Sequence, residues 1–272
     1  MKLLPTFFTL LFCFCFVHTS GQDYFVSDSR TLALADASTA MSGYWSVFGN
    51  QAGLASVQKA VLAGTFQNKF LVRELSTATF TFVLPIQTSV IAVSFSQFGH
   101  IPFRRNKIGV AYAKSLAGHF RFGFQFNRYS IYLVENNSTE TSYGLEIGSQ
   151  YEFSEKFTIG AHIVNPYQTV IRLSSVTYRY PSLISLGTYF KVSQDFSWVT
   201  AINHDLEKHL TLKTGFEYNI RDRLFIRTGI CGKPYQLSAG FGFKVSKTSF
   251  DFATSYNQYL GNSPSVSIQY QF

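Results

Sequence analysis

Cysteine is scarce in this chain, charge is scarce, and no apolar run is long enough to make a membrane-spanning helix. There are three cysteines in 272 residues. Cys13 and Cys15 lie in a segment expected to be cut away, which leaves Cys231 alone and excludes an intramolecular disulfide. Phe12 and Phe14 precede the two early cysteines where a lipoprotein acceptor would follow a small residue. Asp, Glu, Lys and Arg together make up 14% of the chain, against about 25% in an ordinary globular domain. The net charge of +8 does not point to nucleic acid, because the basic residues are scattered singly, apart from Arg104-Arg105, and form no stripe. The chemistry of catalysis is also missing. There is no Gly-x-Ser-x-Gly elbow and no phosphate loop, and Gly240-Phe241-Gly242 precedes no helical pattern. None of the six histidines stands at metal-ligand spacing from a cysteine. The expectation is a non-enzyme without metal or cofactor.

What the chain has in abundance is aromatic: 29 Phe, 16 Tyr and 2 Trp, or 17% of all residues. The start, Met1-Lys2, leads into an apolar run from Leu3 to Val17 and then into His18-Thr19-Ser20-Gly21-Gln22. A basic start, a short apolar core and a small-residue exit describe a secretory signal peptide over 1–21. The run is shorter than the about 20 residues of a spanning helix. Residues 29–55 are Ala-rich and lack period-two alternation, which suits short helices and turns.

From Lys59 onward the period becomes two. In Phe120-Arg121-Phe122-Gly123-Phe124-Gln125-Phe126-Asn127, phenylalanines take one face while Arg, Gly, Gln and Asn take the other. Segments 143–153, 210–220, 235–245 and 263–272 repeat the pattern. Fourteen such stretches follow one another, most about 9–12 residues long, enough for a tilted strand to cross a bilayer. Tight joints such as Ser154-Glu155, Arg221 and Ser246-Lys247 alternate with longer ones, Asn68 to Arg73, Phe98 to Arg105, Glu135 to Glu140 and Asn165 to Pro181 among them. Short turns on one side and longer loops on the other describe an up-and-down membrane barrel. A soluble β-sandwich also alternates. Three features favour the barrel: Gly-rich polar faces opposite Phe/Tyr/Leu/Ile faces, closure that removes the edges of so large a sheet, and a chain that ends on an alternating strand at Phe272.

The expected architecture is therefore all-β: an antiparallel transmembrane barrel of about 14 strands over 59–272, with a short helical plug over 22–58. These registers turn Arg121, Glu146, His162, Lys213, Glu217, Arg227 and Asp251 inward. Eight strands can fill a barrel with side chains, while 16–18 leave a channel. Something must occupy the interior here, and 22–58 is the spare segment. Arg30 and Asp36 are expected to pair with lumen charges, and Trp45, Phe48 and Leu54 to pack inside.

Arg30 to Ala55, closing on Asn50-Gln51-Ala52-Gly53-Leu54-Ala55, resembles the opening of FadL-like and PorV-like outer-membrane proteins, where an Asn-Pro-Ala-Gly-Leu motif ends a segment inside a 14-strand barrel. Gln51 stands where Pro is usual. The terminal Tyr270-Gln271-Phe272 resembles the aromatic signal read by the barrel-insertion machinery. The resemblance implies an outer-membrane protein of a Gram-negative-type envelope, in contact with its lipid, with Asn50, Gly53 and Leu54 in the plug motif and Tyr270 and Phe272 as assembly signal. On the FadL side it implies a channel for small hydrophobic compounds. On the PorV side it implies a scaffold or shuttle for secreted client proteins, with Tyr167, Arg172, Tyr178, Arg179 and Tyr180 of the longest loop available to a client or to an interfacial girdle.

Overall fold

A computed structural model describes residues 28–134, 138–172, 177–206, 210–232 and 235–272. The expected signal peptide over 1–21 lies outside the described residues, as does His209. Each alternating stretch forms one strand, because period-two burial can satisfy an apolar and a polar environment at once only in an extended chain. In chain order the strands are β1 (Val61–Asn68), β2 (Ser76–Ile86), β3 (Ser89–His100), β4 (Phe103–Leu116), β5 (Phe120–Leu133), β6 (Ser138–Ser154) and β7 (Phe157–Val164). A small pair follows, β8 (Val170–Arg172) and β9 (Thr177–Arg179). The wall resumes with β10 (Leu183–Lys191), β11 (Phe196–Asp205), β12 (Leu210–Ile220), β13 (Leu224–Cys231), β14 (Gln236–Val245), β15 (Thr248–Asn257) and β16 (Gly261–Gln271). All but β8 and β9 close into one antiparallel barrel of 14 strands, sealed where β1 pairs with β16 from Val61↔Gln271 to Gln67↔Ser265.

Phe80, Val93, Phe126, Leu186, Trp198, Phe241 and Ile268 point outward and are exposed. They belong to an apolar belt running round the wall, far beyond the few hundred Å² a soluble monomer shows. A lipid bilayer is the solvent that makes such a belt stable, and the closed ladder pairs the backbone polar groups that lipid could not.

Two expectations about the loops need correction. The joint at Phe98 to Arg105 is mostly strand, with β3 and β4 paired to His100↔Phe103. Of the joint at Glu135 to Glu140, the described residues 138–140 belong to β6, which pairs with β5 to Leu133↔Ser138. Polar residues at these ends broke the apolar alternation, but ladder hydrogen bonds do not require apolar side chains. The stretch from Asn165 to Pro181 is not an open loop either, since it contains the β8–β9 hairpin. Ile171 and Tyr180 are buried there against Tyr129 and Ile131 of β5, and Tyr129 stacks on Tyr180 at 4.0 Å. An apolar core beyond the belt gave this segment something to fold onto.

The N-terminal segment lies against the inward face. Asp28 caps helix α1 (Ser29–Ala33) by accepting from the backbone N–H groups of Arg30 and Thr31. Short 3₁₀ turns follow at Tyr44–Val47 and Gln51–Ser56. The wall makes room by omitting side chains. A Cβ at Gly123 would lie 2.6 Å from the Gln51 carbonyl carbon, one at Gly160 2.2 Å from the Thr39 carbonyl oxygen, and one at Gly215 2.8 Å from Leu34 Cα. Nearer the tight turns, Ala63, Ala92, Ala111 and Ala113 pack against Trp45, Val47 and Leu54. Backbone meets backbone at the first set of contacts, so neither side can yield.

Gly215→Val should therefore lower the unfolding free energy by about 1–3 kcal/mol, the usual cost of overpacking. Gly64→Val should change it by less than about 0.5 kcal/mol, because its Cβ would meet only ordinary contacts at 3.4 Å and beyond. Urea titration of the folded band on unheated gels measures both. Equal effects would contradict a tight fit inside the wall.

Candidate functional site: a cavity above a charged floor

Three polar clusters join the N-terminal segment to the wall. The first is a chain of charges. Arg30 donates through its Nη2 to Glu217 Oε1 at 2.8 Å and through its Nε to Oε2 at 2.9 Å. Arg227 donates to Glu217 Oε2 at 2.5 Å and to Asp251 Oδ1 at 2.6 Å. The two guanidiniums and two carboxylates neutralise one another, which is what lets them be buried. Gly242 leaves space for this chain, since a Cβ there would fall 2.1 Å from Asp251 Oδ1. Asp28 is buried nearby. Burial pushes its carboxyl up to about 6, and the hydrogen bond from Thr31 partly opposes that rise.

The second cluster converges on Glu146, which accepts from Lys107 Nζ at 2.6 Å, Asn127 Nδ2 at 2.8 Å and Gln51 Nε2 at 2.8 Å. His162 Nε2 stands 3.3 Å from the same carboxylate. The residue at the place where a proline is usual is thus a hydrogen-bond donor to the wall. Beside it, Asn50 accepts from Ala52 N–H and donates to the carbonyls of Thr39, Ser149 and Ala161. A Cβ on Gly53 would fall 2.3 Å from Ser46 Oγ. Four positions of the motif therefore have a local reason: Asn50 caps, Gln51 contacts the wall, Gly53 allows a close approach and Leu54 is buried. In the third cluster Arg121 pairs with Glu152 and donates to Ser42 Oγ at 2.8 Å.

Lys213 donates to the backbone carbonyl of Asp36 at 3.4 Å. Trp45 and Leu54 are buried and Phe48 is half-buried beside them. Tyr270 and Phe272 are exposed on the outer face, with their rings 5.1 Å apart. Sequence reasoning missed Asp28, Lys107 and Gln51 as polar contacts of the interior. Lys107 shares inward parity with Gly109 and Ala111, a signal that the alternation of β4 did contain. Among the described residues, no group of three or more His, Cys, Asp or Glu is arranged to hold a metal ion.

Above the segment, toward the long loops, lies a cavity of about 380 Å³. Its floor is Ser38, Thr39, Phe48, Gly49 and Asn50. One side carries Lys107, Glu146 and His162, the opposite side carries Gln67, Ser255 and Ser263, and Lys213 stands between them. Phe70, Phe98, Leu260 and Tyr180 give it an apolar lip. Beside it the barrel wall is interrupted. β7 pairs only with Glu146 to Ser154 of β6, so residues 138–145 have no strand partner on that side. Asn165 and Thr169 bridge the edge instead, through Asn165 N–H to the Leu145 carbonyl and Thr169 Oγ1 to the Tyr143 carbonyl.

Glu217→Leu leaves the half-buried Arg30 guanidinium without its carboxylate and the buried Arg227 with Asp251 alone. It should destabilise the folded barrel by about 3–5 kcal/mol, read as a lower urea midpoint. A change within about 0.5 kcal/mol would mean that the charges do not hold the segment.

No protein-family model matches the chain, and no curated protein matches it in sequence. Solved structures do match in shape. The Pseudomonas putida toluene transporter TodX superposes with a TM-score of 0.72 at 8% identity, covering 92% of this chain and 99% of that one. The Ralstonia pickettii toluene transporter TbuX gives 0.69 at 10% identity, and a Pseudomonas aeruginosa FadL homologue gives 0.69 at 13%, each with the same coverage. At these identities the likeness speaks to fold alone: this chain has the barrel fold of these FadL-like structures.

Proposed function

We propose that this protein sits in the outer membrane of a Gram-negative-type envelope and passes small hydrophobic compounds. In this reading residues 1–21 direct export and are removed, residues 22–58 form a plug, and Tyr270 and Phe272 are read by the insertion machinery. A compound enters from the long-loop end, rests in the cavity, and leaves sideways where β6 lacks a partner. The observation that carries the proposal is the cavity itself, closed below by the N-terminal segment and bordered at one side by an interrupted wall. The structural neighbours support it, being described as toluene transporters and a monoaromatic hydrocarbon channel. They favour transport over catalysis. No observation favours a scaffold for secreted clients, because Tyr178 and Tyr180 pack inward against Arg105 and Tyr129 instead of forming an open surface.

Purified protein should bind radiolabelled toluene or a labelled fatty acid saturably. The double variant Phe70→Ala/Phe98→Ala should bind about tenfold more weakly, since an aromatic contact contributes about 0.5–1.5 kcal/mol. Absence of saturable binding to a folded barrel would overturn this reading.

A further inference from the structure

The tight-turn end of the barrel carries a charge imbalance that neither cavity nor floor uses. Lys59 precedes β1 and Lys156 lies in the β6–β7 turn. Lys191 ends β10, Arg221 and Arg223 lie in the β12–β13 turn, and Lys244 and Lys247 bracket the β14–β15 turn. All seven are exposed. The exposed carboxylates of the same rim are Glu155, Asp195 and Asp222. Among the described residues none of the seven cations is paired with a carboxylate. The Asp222 carboxylate accepts from Asn219 instead.

Their placement identifies the partner. In barrel order they run from β1 through the β15–β14, β13–β12 and β11–β10 turns to the β7–β6 turn, and so circle most of the rim. A protein docking from one side would be met by a patch. A surface that surrounds the barrel is met by a ring. The cations also border outward aromatics. Phe153 and Phe157 flank Lys156 with ring centroids 5.8 Å apart, Phe190 adjoins Lys191, and Phe243 and Phe250 flank Lys244 and Lys247 at 5.1 Å. Aromatic rings settle at headgroup depth, and lysine and arginine reach past them to the polar layer.

We propose that this end binds anionic phospholipids, with the rim lysines and arginines holding their headgroup phosphates. The proposal rests on the barrel being embedded in a bilayer and is independent of what it transports.

Trp198 gives a built-in probe. It faces outward from β11, 42% exposed, and its register partner Phe190 adjoins Lys191. Trp45 is 6% exposed inside the barrel and out of reach of lipid. The full chain is folded into vesicles of phosphatidylcholine containing brominated phosphatidylglycerol or brominated phosphatidylcholine, and quenching of Trp198 fluorescence is compared. Brominated phosphatidylglycerol should associate about two- to fivefold more strongly at low salt, the factor expected for a cation near an anionic surface. The preference should disappear in about 0.5 M salt. It should also disappear in the combined variant K156Q/K191Q/R221Q/R223Q, whose folding is checked by heat-modifiable gel migration. Equal quenching by both lipids in the folded wild type, or a preference that survives in the folded variant, overturns the proposal. A chain with no heat-modifiable band in either lipid overturns the membrane reading, and this proposal with it.

Discussion

A barrel of fourteen strands is too wide to be filled by its own side chains, and the rest of this structure follows from how that space is filled. The N-terminal segment enters the lumen and presses its backbone onto wall positions that lack a side chain. Gly123, Gly160 and Gly215 are the clearest of these. The fit is geometric first, because bare backbone brings polar groups close to a wall that must satisfy them. Gln150 donates to the Thr39 and Met41 carbonyls, Lys213 donates to the Asp36 carbonyl, and Ser267 accepts from the Ser29 N–H, while Glu146 and Glu217 hold the Gln51 and Arg30 side chains. A buried charge is tolerated only when paired and hydrogen-bonded. The interior meets that demand with two Arg–carboxylate links to Glu217, one to Asp251 and a fourfold set of contacts around Glu146.

The same filling creates the cavity. Because the segment packs against mid-wall glycines and the alanines near the tight turns, the long-loop half of the lumen stays open above it. Glu146 therefore faces two ways, holding Gln51 of the segment and lining the space above together with Lys107 and His162. The β8–β9 hairpin narrows that space from the loop side through Tyr180. The short length of β7 leaves the neighbouring wall without a strand ladder.

The wall was legible in the sequence because its constraint is local: each strand must show lipid one face and the lumen the other, and Phe120 to Asn127 states that rule residue by residue. The β8–β9 hairpin was not legible. Its apolar core forms with Tyr129 and Ile131, some 40 residues away in the chain, and three-residue strands carry too few positions to display a period. The polar interior was half legible. Inward parity picked out Glu146, Glu217, Arg227 and Asp251, but not which groups would meet. Lys107 and Glu146 come together across β5, between strands that are not neighbours. Gln51 read as a departure from a motif, and only the fold brings its amide to Glu146.

The most direct test of the filled lumen is conductance. Single-channel recordings in planar bilayers should find the full-length barrel closed to ions, while a chain lacking residues 29–55 should conduct through the emptied lumen. A full-length barrel that conducts steadily, or a folded deletion variant that stays closed, would contradict the account.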